Sequence, residues 1–318
     1  MSSNIPNKPV NGLSFHKGAV LMVKYSHKGK YLASCDEDGQ VLVYDVESGY
    51  TLRRTFSGHT GPVTYITWSR SDQKLASISD DRTIKIWDLK SGGLERSLKY
   101  NDLYSSHTAY NLSTIQFLGV SDNKLVIASR DVPLLGIISV YGDKSNNFQT
   151  NTIIDDFAIV GNRICAITHT NEILIYQFED LQHTLVYRNN KEVYTSITKC
   201  SDPNLVLITS KPGLLRLWDI TIPNQITPLK EYEGCNHDNF TIRSCLSDYN
   251  FVLSGSVDGK IFIWNKISGR LFDVFGAHYG IVNSIDCRYT YDYKLEFASG
   301  GDDHNVRIWG TSTSSAVN

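Results

Sequence analysis

The stretch Leu75-Ala76-Ser77-Ile78-Ser79-Asp80-Asp81-Arg82-Thr83-Ile84-Lys85-Ile86-Trp87-Asp88 decides the fold. An apolar run ends in a polar corner at Asp80-Asp81-Arg82. A second run alternates through Ile84 and Ile86 and closes on Trp87-Asp88. Apolar runs on either side of a polar turn predict two antiparallel strands. Gly58-His59 stands upstream, so a Gly-His pair opens the unit and a Trp-Asp pair ends it.

The pattern returns along the chain. The residues read at the Trp87 position are Tyr44, Trp87, Tyr141, Tyr176, Trp218, Trp264 and Trp309, with gaps of 43, 54, 35, 42, 46 and 45 residues. WD-type repeats recur at roughly 40–45 residues, each forming one four-stranded blade of a β-propeller. Seven strand ends at this pitch therefore predict an all-β, seven-bladed WD40 β-propeller. The gaps of 54 and 35 mark the third and fourth blades as the irregular ones.

Four copies carry more than a strand end. Asp38, Asp81, Asp258 and Asp303 each lie six residues before Tyr44, Trp87, Trp264 and Trp309, and Ser34, Ser77, Ser254 and Ser299 lie four before the aspartates. His16, His59, His237 and His278 open the same copies. This recurrence predicts a buried relay, because an imidazole donates from one ring nitrogen and accepts on the other. The aspartate takes one end, the serine bridges, and the indole N–H finds a partner. A polar chain of this kind stabilises a core only when every member is paired. Tyr44 puts a phenol where the other three copies have an indole.

A chain of 318 residues is long enough to bury a large core. The reading divides it into a flexible N-terminus at 1–9, a single propeller at 10–310 and a flexible tail at 311–318. After Trp309 only Gly310 and a polar tail remain, so the last blade lacks a fourth strand of its own. Val10 to Phe15 is expected to supply that strand and close the ring, removing the exposed edge of an open sheet.

Composition excludes several classes of function. The formal net charge is −2 and no basic run occurs, so nucleic acid is not expected as a partner. None of the six cysteines forms a C-x-x-C pair, as suits a reduced intracellular protein. No apolar run reaches membrane-spanning length and no leader pattern opens the chain, so a cytoplasmic or nuclear protein is expected. Ser, His and Asp recur together four times in phase, whereas a hydrolase needs one triad. There is no G-x-S-x-G elbow, no phosphate loop and no zinc-ligand spacing. An enzyme, a cofactor and a metal are accordingly not expected.

Binding of other proteins or short peptides follows from the disc-like geometry, with the top-face loops as the recognition surface. The candidates near the starts of the first strands are Leu21, Thr64, Arg243 and Asn283, and those just before the turn aspartates are Glu37, Asp80, Val257 and Asp302. Arg243 with nearby Phe240 is the preferred anchor, since Arg and aromatic residues are enriched in interface hot spots. Glu37, Asp80 and Asp302 on one arc favour a basic peptide.

The chain also resembles a narrower family. Tyr65-Ile66-Thr67-Trp68-Ser69, the run Ile175-Tyr176-Gln177-Phe178-Glu179-Asp180-Leu181, Phe240-Thr241-Ile242-Arg243-Ser244-Cys245 and the closing Val306-Arg307-Ile308-Trp309-Gly310 are similar to the propeller of the WD-repeat subunit of GID/CTLH-type E3 ubiquitin ligases. The resemblance implies a non-catalytic scaffold with ubiquitin-ligase subunits as partners. Members of that family carry LisH and CTLH helical segments ahead of the propeller, and here fewer than twenty residues precede the first blade. The alternatives are a propeller subunit of a histone-methylation or RNA-processing assembly, and a cullin-ligase receptor. The last lacks Trp-Asp-x-Arg, because Trp87-Asp88 runs into Leu89-Lys90 and Trp218-Asp219 into Ile220-Thr221.

Overall fold

The computed structural model describes residues 9–103, 110–119, 122–142, 145–178, 183–188, 191–222, 226–248, 250–288 and 295–310. Seven four-stranded antiparallel sheets make up the fold. Six of them are built from strands consecutive in sequence. Blade one holds Val20–Tyr25, Tyr31–Asp36, Gln40–Asp45 and Thr51–Ser57, and blade two holds Val63–Trp68, Lys74–Ser79, Thr83–Asp88 and Gly93–Lys99. In each of these two blades the second and third strands are almost wholly buried and the outer strand is largely exposed, as sheets packed between neighbours require.

The seventh sheet joins the two ends of the chain. Pro9–Leu13 pairs antiparallel with Val306–Trp309, placing Pro9 opposite Trp309 and Leu13 opposite Val306. Leu13 is buried in a core shared by the first and last blades. The closing strand thus begins one residue earlier than expected, at Pro9, and Phe15 lies outside it. Phe15 is half-exposed, with its ring centroid 6.1 Å from that of Tyr44. Of the flexible termini expected at 1–9 and 311–318, only Pro9 is among the described residues, and it begins the closing strand instead; His107, expected to open blade three, lies outside them.

Aromatic contacts cement neighbouring blades. Phe56, Tyr187, Tyr232 and Phe275, on the outer strands of blades one, four, five and six, lie against Trp87, Trp218, Trp264 and Trp309 of the blades that follow. Centroid separations run from 4.8 Å for Tyr187–Trp218 to 6.1 Å for Tyr232–Trp264. Large flat side chains fill the wedge between splayed sheets, and offset or tilted ring pairs add to their burial.

Blade three corrects one assignment. Tyr141 follows the third strand, Leu134–Ser139, and is 63% exposed beneath the Lys74 ammonium. The residue at the Trp87 position is Ile138, which pairs with Leu125 as Trp87 pairs with Leu75. The run Leu134-Leu135-Gly136-Ile137-Ile138 is apolar at every position, so alternation could not set its phase.

Candidate functional site

The relays tie the turns of the top face to the second strands of their blades. In blade two, His59 Nδ1 meets Asp81 Oδ2 at 2.8 Å, His59 Nε2 meets Ser77 Oγ at 2.8 Å, and the Trp87 indole donates to Ser77 Oγ at 2.9 Å. Blade seven repeats this with His278–Asp303 at 2.7 Å, His278–Ser299 at 2.7 Å and Trp309–Ser299 at 2.9 Å. Burial holds the His59 imidazole below its ordinary pKa. Burial acts to raise Asp81, but hydrogen bonds from Thr83, the Thr60 N–H and His59 outweigh it and hold the carboxyl low.

Blade one differs from the repeat. His16 Nδ1 bonds Asp36 at 2.7 Å, not Asp38, and Nε2 bonds Ser34 at 2.6 Å. Asp36 is fully buried and Asp38 is exposed. The equivalent of Asp36 in blade two is Ser79, which is too short to reach the histidine and instead donates to the Gly61 carbonyl. With a carboxylate already inside the strand, Asp38 is released to solvent. The Tyr44 hydroxyl lies near Ser34 but closes no hydrogen bond among the described residues.

Blade six departs further. His237 Nε2 reaches Ser254 at 2.9 Å, but Nδ1 has no partner among the described residues. Asp258 turns outward to Lys260 at 2.6 Å, and the Trp264 indole donates to the Glu233 carbonyl at 3.0 Å instead of to Ser254. Where blade two has Thr83, whose hydroxyl ties Asp81 inward, blade six has Lys260, which draws the acid out. The spacing shifts as well. Leu21, Thr64 and Asn283 follow their histidines by five residues, and Arg243 follows His237 by six. That extra residue is the signal in the sequence that the sixth relay is broken. Burial takes the His237 imidazole down to about 4.

The top face is organised as two rings. The pairing of first and second strands shifts register at Val20/Met22, Val63/Tyr65, Leu112/Thr114, Ile154/Asp156, Tyr194/Ser196 and Val282/Ser284. Each shift leaves one bulged residue: Leu21, Thr64, Ser113, Asp155, Thr195 and Asn283. A bulge leaves its extra residue outside the ladder and free to point elsewhere. With Arg243 of blade six, these residues line one cavity of about 410 Å³. Leu21, Thr64, Arg243 and Asn283 are thus brought together as expected candidates. Ser113, Asp155 and Thr195 belong with them but were missed, because no histidine stands five residues before any of them.

The outer ring is formed by residues whose N–H donates back toward the start of their own blade. Glu37 donates to Ala19, Asp80 to Pro62, Arg130 to Asn111, His169 to Ile153, Lys211 to Val193, Val257 to Asn236 and Asp302 to Ile281, at 2.8–3.2 Å. Its charges are sorted. Asp302, Glu37 and Asp80 form an acidic arc over blades seven, one and two, and Arg130, His169 and Lys211 form a basic arc over blades three, four and five. Arg130 and Asp80 pair at 2.6 Å where the arcs meet. Glu37 accepts from the Ala19 N–H, and Asp302 accepts from Asn283 Nδ2 and the Ile281 N–H, so each acid is also anchored within the protein.

The preferred anchor is placed differently from expectation. Phe240 is 49% exposed and lies outside the cavity lining. The Arg243 side chain is only 16% exposed and is engaged inward by Asp156 at 3.0 Å. Burial disfavours its charge, but the Asp156 carboxylate outweighs this and holds the Arg243 pKa above the ordinary value.

A closed ring of seven four-stranded blades, four of which carry a histidine, a serine, an aspartate and an aromatic residue in phase, defines a WD-repeat β-propeller. The family model for the WD domain, G-beta repeat, matches residues 7–45, 50–88, 226–265 and 269–310, half of the chain, and the chain belongs to that family. It is 36% identical to GID complex subunit 7 of Schizosaccharomyces pombe over 96% of this chain and 59% of that protein. It is 26% identical to the WD repeat-containing protein 26 homolog of Arabidopsis thaliana over 96% of this chain and 51% of that protein. The chain therefore spans between half and three-fifths of the length of these relatives. The β-propeller domain of Myceliophteria thermophila Cps50 (Swd1) superposes with a TM-score of 0.80 at 15% identity, covering 96% of this chain and all of that one.

Proposed function

We propose that the chain is a non-catalytic protein-interaction scaffold acting as a propeller subunit of a GID/CTLH-type E3 ubiquitin ligase. The observation that carries this reading is the 36% identity to a GID complex subunit along nearly the whole chain. In this reading the top face receives a partner segment. Its basic residues lie over the acidic arc of Asp302, Glu37 and Asp80, where opposite charge steers approach and fixes orientation more than it adds affinity. All six cysteines are free, which fits a cytoplasmic or nuclear site of action.

Purification of the tagged, full-length protein from its native cells tests the assembly. Recovery of RING and LisH/CTLH proteins at constant ratio is expected. Recovery of methyltransferase or RNA-processing subunits in their place would overturn the reading. For the face, the double variant Glu37→Lys/Asp302→Lys should lose the partner while keeping its fold by circular dichroism. Undiminished co-purification would remove the top face from the interaction.

A further inference from the structure

Below the inner ring, the middle of the propeller is crossed by a side chain of the protein itself. Arg243 Nη1 donates to Asp156 Oδ2 at 3.0 Å, and the guanidinium carbon lies 4.3 Å from the Tyr65 ring centroid. Arg243 comes from blade six, Asp156 from blade four and Tyr65 from blade two, so one guanidinium ties three non-adjacent blades together. Asp156 is 1% exposed in its side chain. Its carboxylate is also held by backbone donors, the Phe157 N–H at 2.9 Å on Oδ1 and the Ile197 N–H at 3.1 Å on Oδ2. The acceptor is thus fixed in place independently of Arg243.

A carboxylate held beside an aromatic face suits a planar, delocalised cation better than a compact ammonium. The main chain of Arg243 is drawn toward this site. Its N–H donates to Asn283 O at 3.0 Å, and the Ile285 N–H donates to its carbonyl at 2.9 Å. Arg243 therefore bridges in parallel to Ser284 of blade seven, and the first strand of its own blade is reduced to Cys245–Leu246. The displaced backbone and the bound side chain are two aspects of one arrangement.

We propose that Asp156 and Tyr65 form a guanidinium-binding site that the protein's own Arg243 occupies, closing the middle of the ring beneath the top face. A partner side chain entering the cavity of about 410 Å³ then goes no deeper than Arg243, which lines it. Removing that side chain uncovers a receptor for a free guanidinium compound. This inference does not depend on which assembly the propeller joins.

The test uses the full-length Arg243→Ala variant with methylguanidinium or methylammonium as probe. Arg243→Ala should melt below wild type. Methylguanidinium at about 10 mM should restore roughly half of the lost melting temperature by binding the folded state alone. Methylammonium should restore little, and the added Asp156→Asn substitution should abolish rescue. No loss of melting temperature, or equal rescue by both cations, would overturn the proposal. Should Arg243→Ala not fold, the wild-type protein decides the matter by nitrogen-15 NMR, with Arg243→Lys used for assignment. A guanidinium held on two sides shows slow Nη rotation and slow proton exchange, whereas fast averaging like that of a surface arginine would refute the site.

Discussion

His16 and Asp36 are hydrogen-bonded at 2.7 Å, and both side chains are wholly excluded from solvent. The histidine of blade one thus uses an acid inside its second strand rather than the turn acid of the repeat. Asp36→Ala should leave His16 Nδ1 buried and unpaired, costing about 1–3 kcal/mol. Asp38→Ala, at an exposed turn, should change stability by less than about 0.5 kcal/mol. Urea denaturation of the two variants measures the difference, and equal losses would show that the blade does not depend on this pair.

Ser77 serves two donors or acceptors at once, and Ser254 does not serve the indole of its blade. Ser77→Ala strands the Trp87 N–H and one nitrogen of His59, whereas in Ser254→Ala the Trp264 indole keeps the Glu233 carbonyl. Ser77→Ala should therefore cost about 1–3 kcal/mol, and Ser254→Ala measurably less. The reverse order in chemical denaturation would contradict the description of blade six.

The buried imidazole of His237 makes stability depend on pH. Its folded pKa of about 4 lies below the ordinary histidine value. Between about pH 6.5 and 4 the unfolded chain binds a proton that the folded one refuses, so stability rises with pH across this window. The contribution is fully present above about pH 6.5 and is lost as pH falls toward 4, on the order of 3 kcal/mol. His237→Gln should flatten the slope in that window. A slope equal to that of wild type would mean that His237 is not the group responsible.

Ring closure rests on Leu13, which is 3% exposed in the core between the first and last blades. Leu13→Ala should cost about 2–5 kcal/mol through lost burial and the cavity left behind. Because the strand carrying it also covers Val306–Trp309, hydrogen exchange should accelerate first at the amides of that strand. Acceleration spread evenly over all blades would argue that closure is not the weak point.

How legible all this was depended on local phase. Trp87 and Trp309 announce their positions because an indole ends an alternating strand after a turn acid. Ile138 does not, because every residue around it is apolar and Tyr141 offers a false end mark three residues later. The inner ring was visible where a histidine stood five residues upstream, at Leu21, Thr64 and Asn283. It was invisible at Ser113, Asp155 and Thr195, where no such marker exists. Arg243 was legible as a ring member but not in its direction. Nothing nearby in sequence shows that Asp156, 87 residues earlier, would receive it.

The repeat period, the number of blades and the use of the N-terminal strand to seal the last one were determined by the sequence itself. They follow from local alternation and from a count that leaves one blade a strand short. Which acid each histidine takes, where blade six breaks and what fills the middle of the ring were decided only by the tertiary structure. Those outcomes are contests between partners brought close by ring closure: Asp36 against Asp38 for His16, Lys260 against His237 for Asp258, and Asp156 against open solvent for Arg243. Distance and burial settle such contests, and neither is written in the spacing of residues along the chain.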